Sequence, residues 1–201
     1  MTSMAVPISD HPPVWKFDYP IVHAETRAQW REWLAQNPTA RGVWLCSWRA
    51  STGRERCPYP EAVEEAICFG WIDSTSTILD EERSLQLFTP RKGKSSWTRL
   101  NRERAAEMER QGLMTESGRA AIAVAKATGW WTILDSVEDL IESPELKAAL
   151  DANPQARVNW DAFPPSARKL GLWQVVSAAR PETQAQRVAK IVADSAENKR
   201  P

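Results

Sequence analysis

Chemically capable side chains concentrate between residues 65 and 101, where Trp71, Asp73, Arg91, Lys92, Ser95, Ser96, Trp97 and Asn101 follow one another across two changes of structural period. Arg91-Lys92-Gly93-Lys94-Ser95-Ser96 is a basic loop that runs into a helix opening at Trp97. Unpaired N–H groups at a helix start, surrounded by cations, form a recipe for holding a phosphate, sulfate or carboxylate. The loop lacks the glycine spacing of a nucleotide-binding Walker loop, so the expectation is a simple anion site. A solvated loop whose serines merely cap the helix is the plainer reading of the same residues.

Asp73 stands two residues after Trp71 on a strand, on the face from which it could meet Arg91. It is the candidate catalytic residue, as a partly buried carboxylate for acid–base work, and otherwise half of a structural ion pair. Trp71 and Trp97 could stack a planar ligand, or could simply be core. Asn101 completes the candidate ligand-binding set.

Other chemistries have little to draw on. His11 and His23 are the only histidines, and Cys46, Cys57 and Cys68 have no zinc-type spacing, so neither a metal site nor a cofactor is expected. A Cys46 or Cys68 nucleophile with His23 as base competes with ordinary packing of free cysteine. An odd number of cysteines favours reduced thiols, and no leader or membrane-spanning run is expected, which together read as cytoplasmic with no membrane insertion. Lys plus Arg number 26 against 26 Asp plus Glu, so nucleic acid is not expected as a partner; a small anionic ligand is. Charge is nevertheless segregated: seven acids within residues 60–83 precede seven bases within 91–110.

The surrounding elements follow from local signals. Residues 1–14 read as a flexible, Pro-rich arm. Ile21–His23 is a strand, Thr26 caps a helix that Asn37-Pro38 ends, and Gly42–Trp48 is a strand apolar on both faces. Pro60 sits at the first helical position of a helix that Gly70 closes from the left-handed region. Trp71–Leu79 and Ser84–Phe88 make a hairpin around Asp80-Glu81-Glu82-Arg83. From Ser96 the period stays helical, with Thr115, an Asp135/Glu138 capping-box-like pair, Ser143-Pro144, Asn153-Pro154, Pro164-Pro165 and Arg180-Pro181 as punctuation. The fold class expected is α+β: a small, mainly antiparallel sheet with helices in the N-terminal half and an all-helical C-terminal half. Residues 15–95 make the α+β unit and 96–197 a helical unit, separate or sharing one core.

Tyr59-Pro60-Glu61-Ala62-Val63-Glu64-Glu65-Ala66-Ile67-Cys68-Phe69-Gly70-Trp71-Ile72-Asp73, then Phe88-Thr89-Pro90-Arg91 and Ser96-Trp97, resembles the YdeI/OmpD-associated family, also called bacteriocin-protection proteins. Leu113-Met114-Thr115 with Gly118 extends the likeness, as do Phe163, Ser166-Ala167-Arg168-Lys169, Trp173, Glu182-Thr183 and Arg187, over roughly residues 40–195. Ser74 stands where that family commonly has glycine after Trp-Ile-Asp. The resemblance implies a role in tolerance of bacteriocins or cationic antimicrobial peptides, without a defined reaction. The residues themselves leave two classes: a non-enzymatic protection protein that binds an anionic or planar ligand near the Trp71–Asp73/Arg91–Trp97 junction, or an enzyme using Asp73 beside the same anion.

Overall fold

The computed structural model describes residues 10–201. The N-terminal arm therefore lies largely outside the described residues, and its last residue, Val14, pairs in the sheet. Five strands line up in the order β1-β2-β3-β5-β4: β1 (Val14–Trp15), β2 (Tyr19–His23), β3 (Val43–Trp48), β4 (Trp71–Ile78) and β5 (Arg83–Pro90). Only β2 and β3 run parallel; the other pairings are antiparallel. Helix α1 (Arg27–Gln36) lies in the β2–β3 crossover, as a parallel connection requires. Among the described residues every strand ends by Pro90, and all later elements are helices, as the α+β reading expects.

Local chemistry accounts for the boundaries. Thr26 caps α1 through a reciprocal box, its hydroxyl accepting from the Gln29 N–H at 3.2 Å while Gln29 Oε1 accepts from the Thr26 N–H at 3.2 Å. Helix α2 (Tyr59–Cys68) carries Pro60 in its first turn and ends at Gly70, whose φ of 77° a side chain would resist. Asp80 accepts from the N–H groups of Glu82 and Arg83 at 2.9 and 2.8 Å, which shapes the hairpin turn.

Val43, Trp44, Leu45 and Cys46 are all buried, so β3 is covered on both faces. On one side Ile21, Trp44, Cys46, Leu85 and Leu87 form a cluster. On the other, α1 delivers Trp30 to within 5.1 Å of the Phe88 ring, and its indole N–H donates to the Ala62 carbonyl of α2 at 3.0 Å. Glu65 of α2 is 1% exposed and accepts from Arg27 and Arg31 of α1, each at 2.6 Å. That pairing satisfies a carboxylate that would otherwise be costly to bury.

The chain divides into two compact units. The first comprises the sheet, α1, α2 and Leu100–Thr128; the second comprises Ser96–Arg99 and Gly129–Pro201. Within the first, α3 (Arg99–Arg110) supplies residues from Leu100 onward, and α4 (Glu116–Ala127) is tied to the end of α2. Thr115, the α4 cap, donates both its N–H (3.1 Å) and its hydroxyl (2.6 Å) to the Cys68 carbonyl.

The second unit contains α5 (Asp135–Glu138), α6 (Pro144–Asp151), α7 (Pro154–Ala162), α8 (Pro165–Val176) and α9 (Pro181–Ala196). Leu146, Leu150, Trp160, Leu172, Val175 and Ile191 are the fully buried heart of its core. Ser143 and Asn153 cap α6 and α7. The capping box expected at Asp135 and Glu138 is corrected: Leu134 is the cap residue of α5, with no side-chain cap bond. Glu138 instead accepts from the backbone N–H of Arg99, at 3.1 and 3.3 Å.

Candidate functional site

Arg91 leaves β5 directly into the basic loop. Its N–H donates to the Gly70 carbonyl at 2.8 Å and its Nε to the Trp71 carbonyl at 3.2 Å, so the residue staples the start of β4. Burial pushes the Arg91 guanidinium down to about 10, and the Asp73 carboxylate offsets part of that fall. Arg91 remains cationic at neutral pH.

Asp73 takes a partner that the sequence reading did not assign. Its Oδ2 accepts from the Tyr59 hydroxyl at 2.6 Å, across 14 residues of chain. Burial, with Asp73 alongside, raises the Tyr59 phenol to about 12, so Tyr59 stays protonated and donates. The β4–β5 register shifts between Asp73 and Ser76. Such an irregularity re-aims the side chains next to it.

The loop uses much of its own hydrogen-bonding capacity. The Lys92 N–H donates to Ser95 Oγ at 3.0 Å, the Ser95 N–H donates to the Lys92 carbonyl at 2.9 Å, and Thr128 donates to the Gly93 carbonyl at 3.1 Å. Helix α3 begins at Arg99 rather than Trp97, and the Arg99 N–H is taken by Glu138. A carboxylate of the chain's own thus occupies a donor at the helix start that was expected to face a ligand.

The cationic side chains have more room than the backbone. Arg91 and Lys92 line a cavity of about 410 Å³ together with Tyr19, Pro38, Thr39, Ala40, Arg41, Thr89 and Pro90. Three cations and two threonine hydroxyls border it, and no carboxylate does. Of the predicted ligand-binding set, Arg91 and Lys92 are therefore brought together here; Trp71, Asp73, Ser95, Ser96, Trp97 and Asn101 are not among its walls. Trp71 is buried, meets Trp33 edge-on at 6.0 Å and borders a separate hollow with Leu34, Phe69 and Thr115. Trp97 belongs to the second unit, where its ring packs 4.9 Å from Trp131. Asn101 accepts from Arg104 one turn along α3, at 3.2 Å.

Arg41, Thr39 and Tyr19 escaped the sequence reading because they lie about 50 residues or more before Arg91. The signal that brings Arg41 in is register. Val43 pairs antiparallel with Phe88, so continuing the ladder sets Arg41 level with Pro90 and beside Arg91.

The thiols offer no nucleophile. Cys46, Cys57 and Cys68 are free and buried, and burial pushes them up to about 11, 12 and 11. A thiolate, which is the reactive form, is scarce at such values. Among the described residues no His, Cys, Asp and Glu are grouped as a metal site would need, and no helix is long and apolar enough to cross a membrane.

Residues 139–198 match the family described as Bacteriocin-protection, YdeI or OmpD-Associated. Residues 22–121 match a Domain of unknown function (DUF8412). The family resemblance is thus borne out at the C-terminal end, in the region of Phe163, Arg168, Trp173 and Arg187, while Tyr59–Asp73 and Phe88–Trp97 fall within the other match. Neither the curated proteins nor the solved structures provide a match to this chain.

Proposed function

We propose that this chain is a non-enzymatic, cytoplasmic protection protein, acting in stress from bacteriocin-like or cationic antimicrobial peptides, and that it holds a small anionic ligand between Arg41, Arg91 and Lys92. The bacteriocin-protection match over residues 139–198 supports the biological setting at the level of the family. The ligand rests on one observation: a cavity of about 410 Å³ with three cations and no acid in its lining. That volume lies within the usual range of small-molecule sites. A desolvated guanidinium such as Arg91 is also a stronger anion partner than a surface one, because less water competes for it.

The test is a calorimetric titration of the full chain with inorganic phosphate, nucleotides and polyanions, at low and moderate salt. Arg91→Ala is expected to weaken binding by about 1.5–3 kcal/mol, the range for charged hydrogen bonds. Lys92→Ala costs less, since its exposed ammonium acts mainly through screened attraction. Arg91 also staples β4, so Arg41→Gln provides a variant that leaves that staple intact. Equal affinities in all three variants, or no anion bound by the wild type, would sink the reading.

A further inference from the structure

One wall of the Arg41–Arg91–Lys92 cavity is unusual. Tyr19, which lines it, follows a short turn, Lys16–Asp18, in which both Phe17 (φ 66°) and Asp18 (φ 56°) occupy the left-handed region. Residues with a side chain rarely adopt that region, and two in succession persist only where the surroundings hold them. The surroundings here do so. The Trp44 indole, buried in the sheet core, donates to the Lys16 carbonyl at 3.0 Å, while Val14–Trp15 and Tyr19–Pro20 close the turn as an antiparallel pair.

The turn presents a large apolar ring to solvent. Phe17 is 67% exposed, and its ring lies 5.9 Å from that of Tyr19, tilted by 48°. Tyr19 in turn lies against the backbone at Gly42: a Cβ there would stand 2.4 Å from Tyr19 Cε2. Only glycine lets the phenol ring lie so close to the chain beside Arg41. A held aromatic ring and three cations therefore meet at one cavity, and a second, exposed ring lies next to the first.

We propose, resting on the anion-site reading above, that the ligand is a flat aromatic ring bearing a compact anion. The ring stacks at Tyr19 and Phe17, and the phosphate or carboxylate meets Arg41, Arg91 and Lys92. An aromatic face attracts any π-system with little selectivity, and the charge supplies orientation. Inorganic phosphate or a sugar phosphate fills only the cationic part of such a site.

The experiment titrates the full chain with adenosine 5′-monophosphate, 4-hydroxybenzoate, ribose 5-phosphate and inorganic phosphate. At least one of the two aromatic anions is expected to bind about tenfold more tightly than ribose 5-phosphate, a margin within the range of stacking on one side chain. The tighter of the two identifies phosphate or carboxylate as the preferred anion. Tyr19→Leu is expected to erase that margin without weakening ribose 5-phosphate. Phe17→Gly suits the left-handed backbone and so preserves the turn; it is expected to reduce the margin about threefold, on the same stacking basis. Binding of both aromatic anions no tighter than that of ribose 5-phosphate, or a margin unchanged in Tyr19→Leu and Phe17→Gly, overturns the aromatic subsite while leaving the anion site standing. Failure of all four probes to bind removes the anion site itself.

Discussion

Glu142 in the C-terminal unit offers a quantitative test of how that helical core is held. Its side chain is 10% exposed and accepts from Arg157 Nη1 at 2.9 Å, Arg157 Nη2 at 2.7 Å and the Trp160 indole N–H at 2.8 Å, with Arg168 3.7 Å away. The bidentate Arg157 bond lowers the Glu142 carboxyl from its ordinary range, and the indole and Arg168 add to the effect. Glu142→Gln keeps the shape but removes the charge and turns an amide donor toward a guanidinium. Removing one partner of a buried pair costs about 3–5 kcal/mol when the other is left alone. Arg157 keeps Asp161 at 3.0 Å and Asp151 at 3.1 Å, so its charge is not stranded, and about 2 kcal/mol is the expected loss. For a chain of this length that corresponds to a fall in Tm of about 4–8 °C, readable by calorimetry or tryptophan fluorescence. The pH dependence fixes the sign. A carboxylate whose folded pKa is depressed contributes stability fully above its unfolded value, near 4.5, and loses it as pH falls through the folded value. The gap between wild type and Glu142→Gln should therefore be complete at pH 7 and close below about pH 4.5. A Tm difference under about 1 °C at pH 7, or a gap that persists unchanged at pH 3, would refute the assignment.

Three further outcomes follow from other parts of the chain. Gly118→Ala is expected to destabilise by about 3 kcal/mol in urea unfolding, because the added Cβ would stand 2.2 Å from the Cys68 carbonyl oxygen and 2.5 Å from Met114 Sδ; a loss under about 1 kcal/mol would show that α4 shifts freely. With the thiols raised to about 11, 12 and 11, native protein at pH 8 should leave a disulfide reagent essentially unreacted, and all three cysteines should titrate after unfolding. His23 is 1% exposed, its ring lies 4.7 Å from Trp48, and burial lowers its pKa from 6.5. The unfolded chain thus binds the proton more readily, so stability should decline as pH drops below about 6.5, and His23→Phe should flatten that slope between pH 5 and 6.5.

Much of this molecule is determined by signals that act within a few residues. Thr26 with Gln29, Gly70 in the left-handed region, Asp80 folded onto its own turn, and Ser143 and Asn153 before Pro144 and Pro154 set where elements begin and end. The alternation of apolar faces marks β3 as doubly covered, and the shift to helical period after Ser96 excludes later strands. These are constraints of backbone dihedrals and short-range hydrogen bonds, and they need no knowledge of distant partners. Arg91 and Lys92 were also legible, since cations beside a loop stand out in any reading. Their company was not. Arg41 joins Arg91 because β3 and β5 pair antiparallel, Tyr59 claims Asp73 from 14 residues away, and Glu138 reaches the Arg99 N–H from 39. Such partners are chosen by sheet register and by the need to neutralise charge as helices pack, forces that depend on the assembled fold and leave no local trace in the chain.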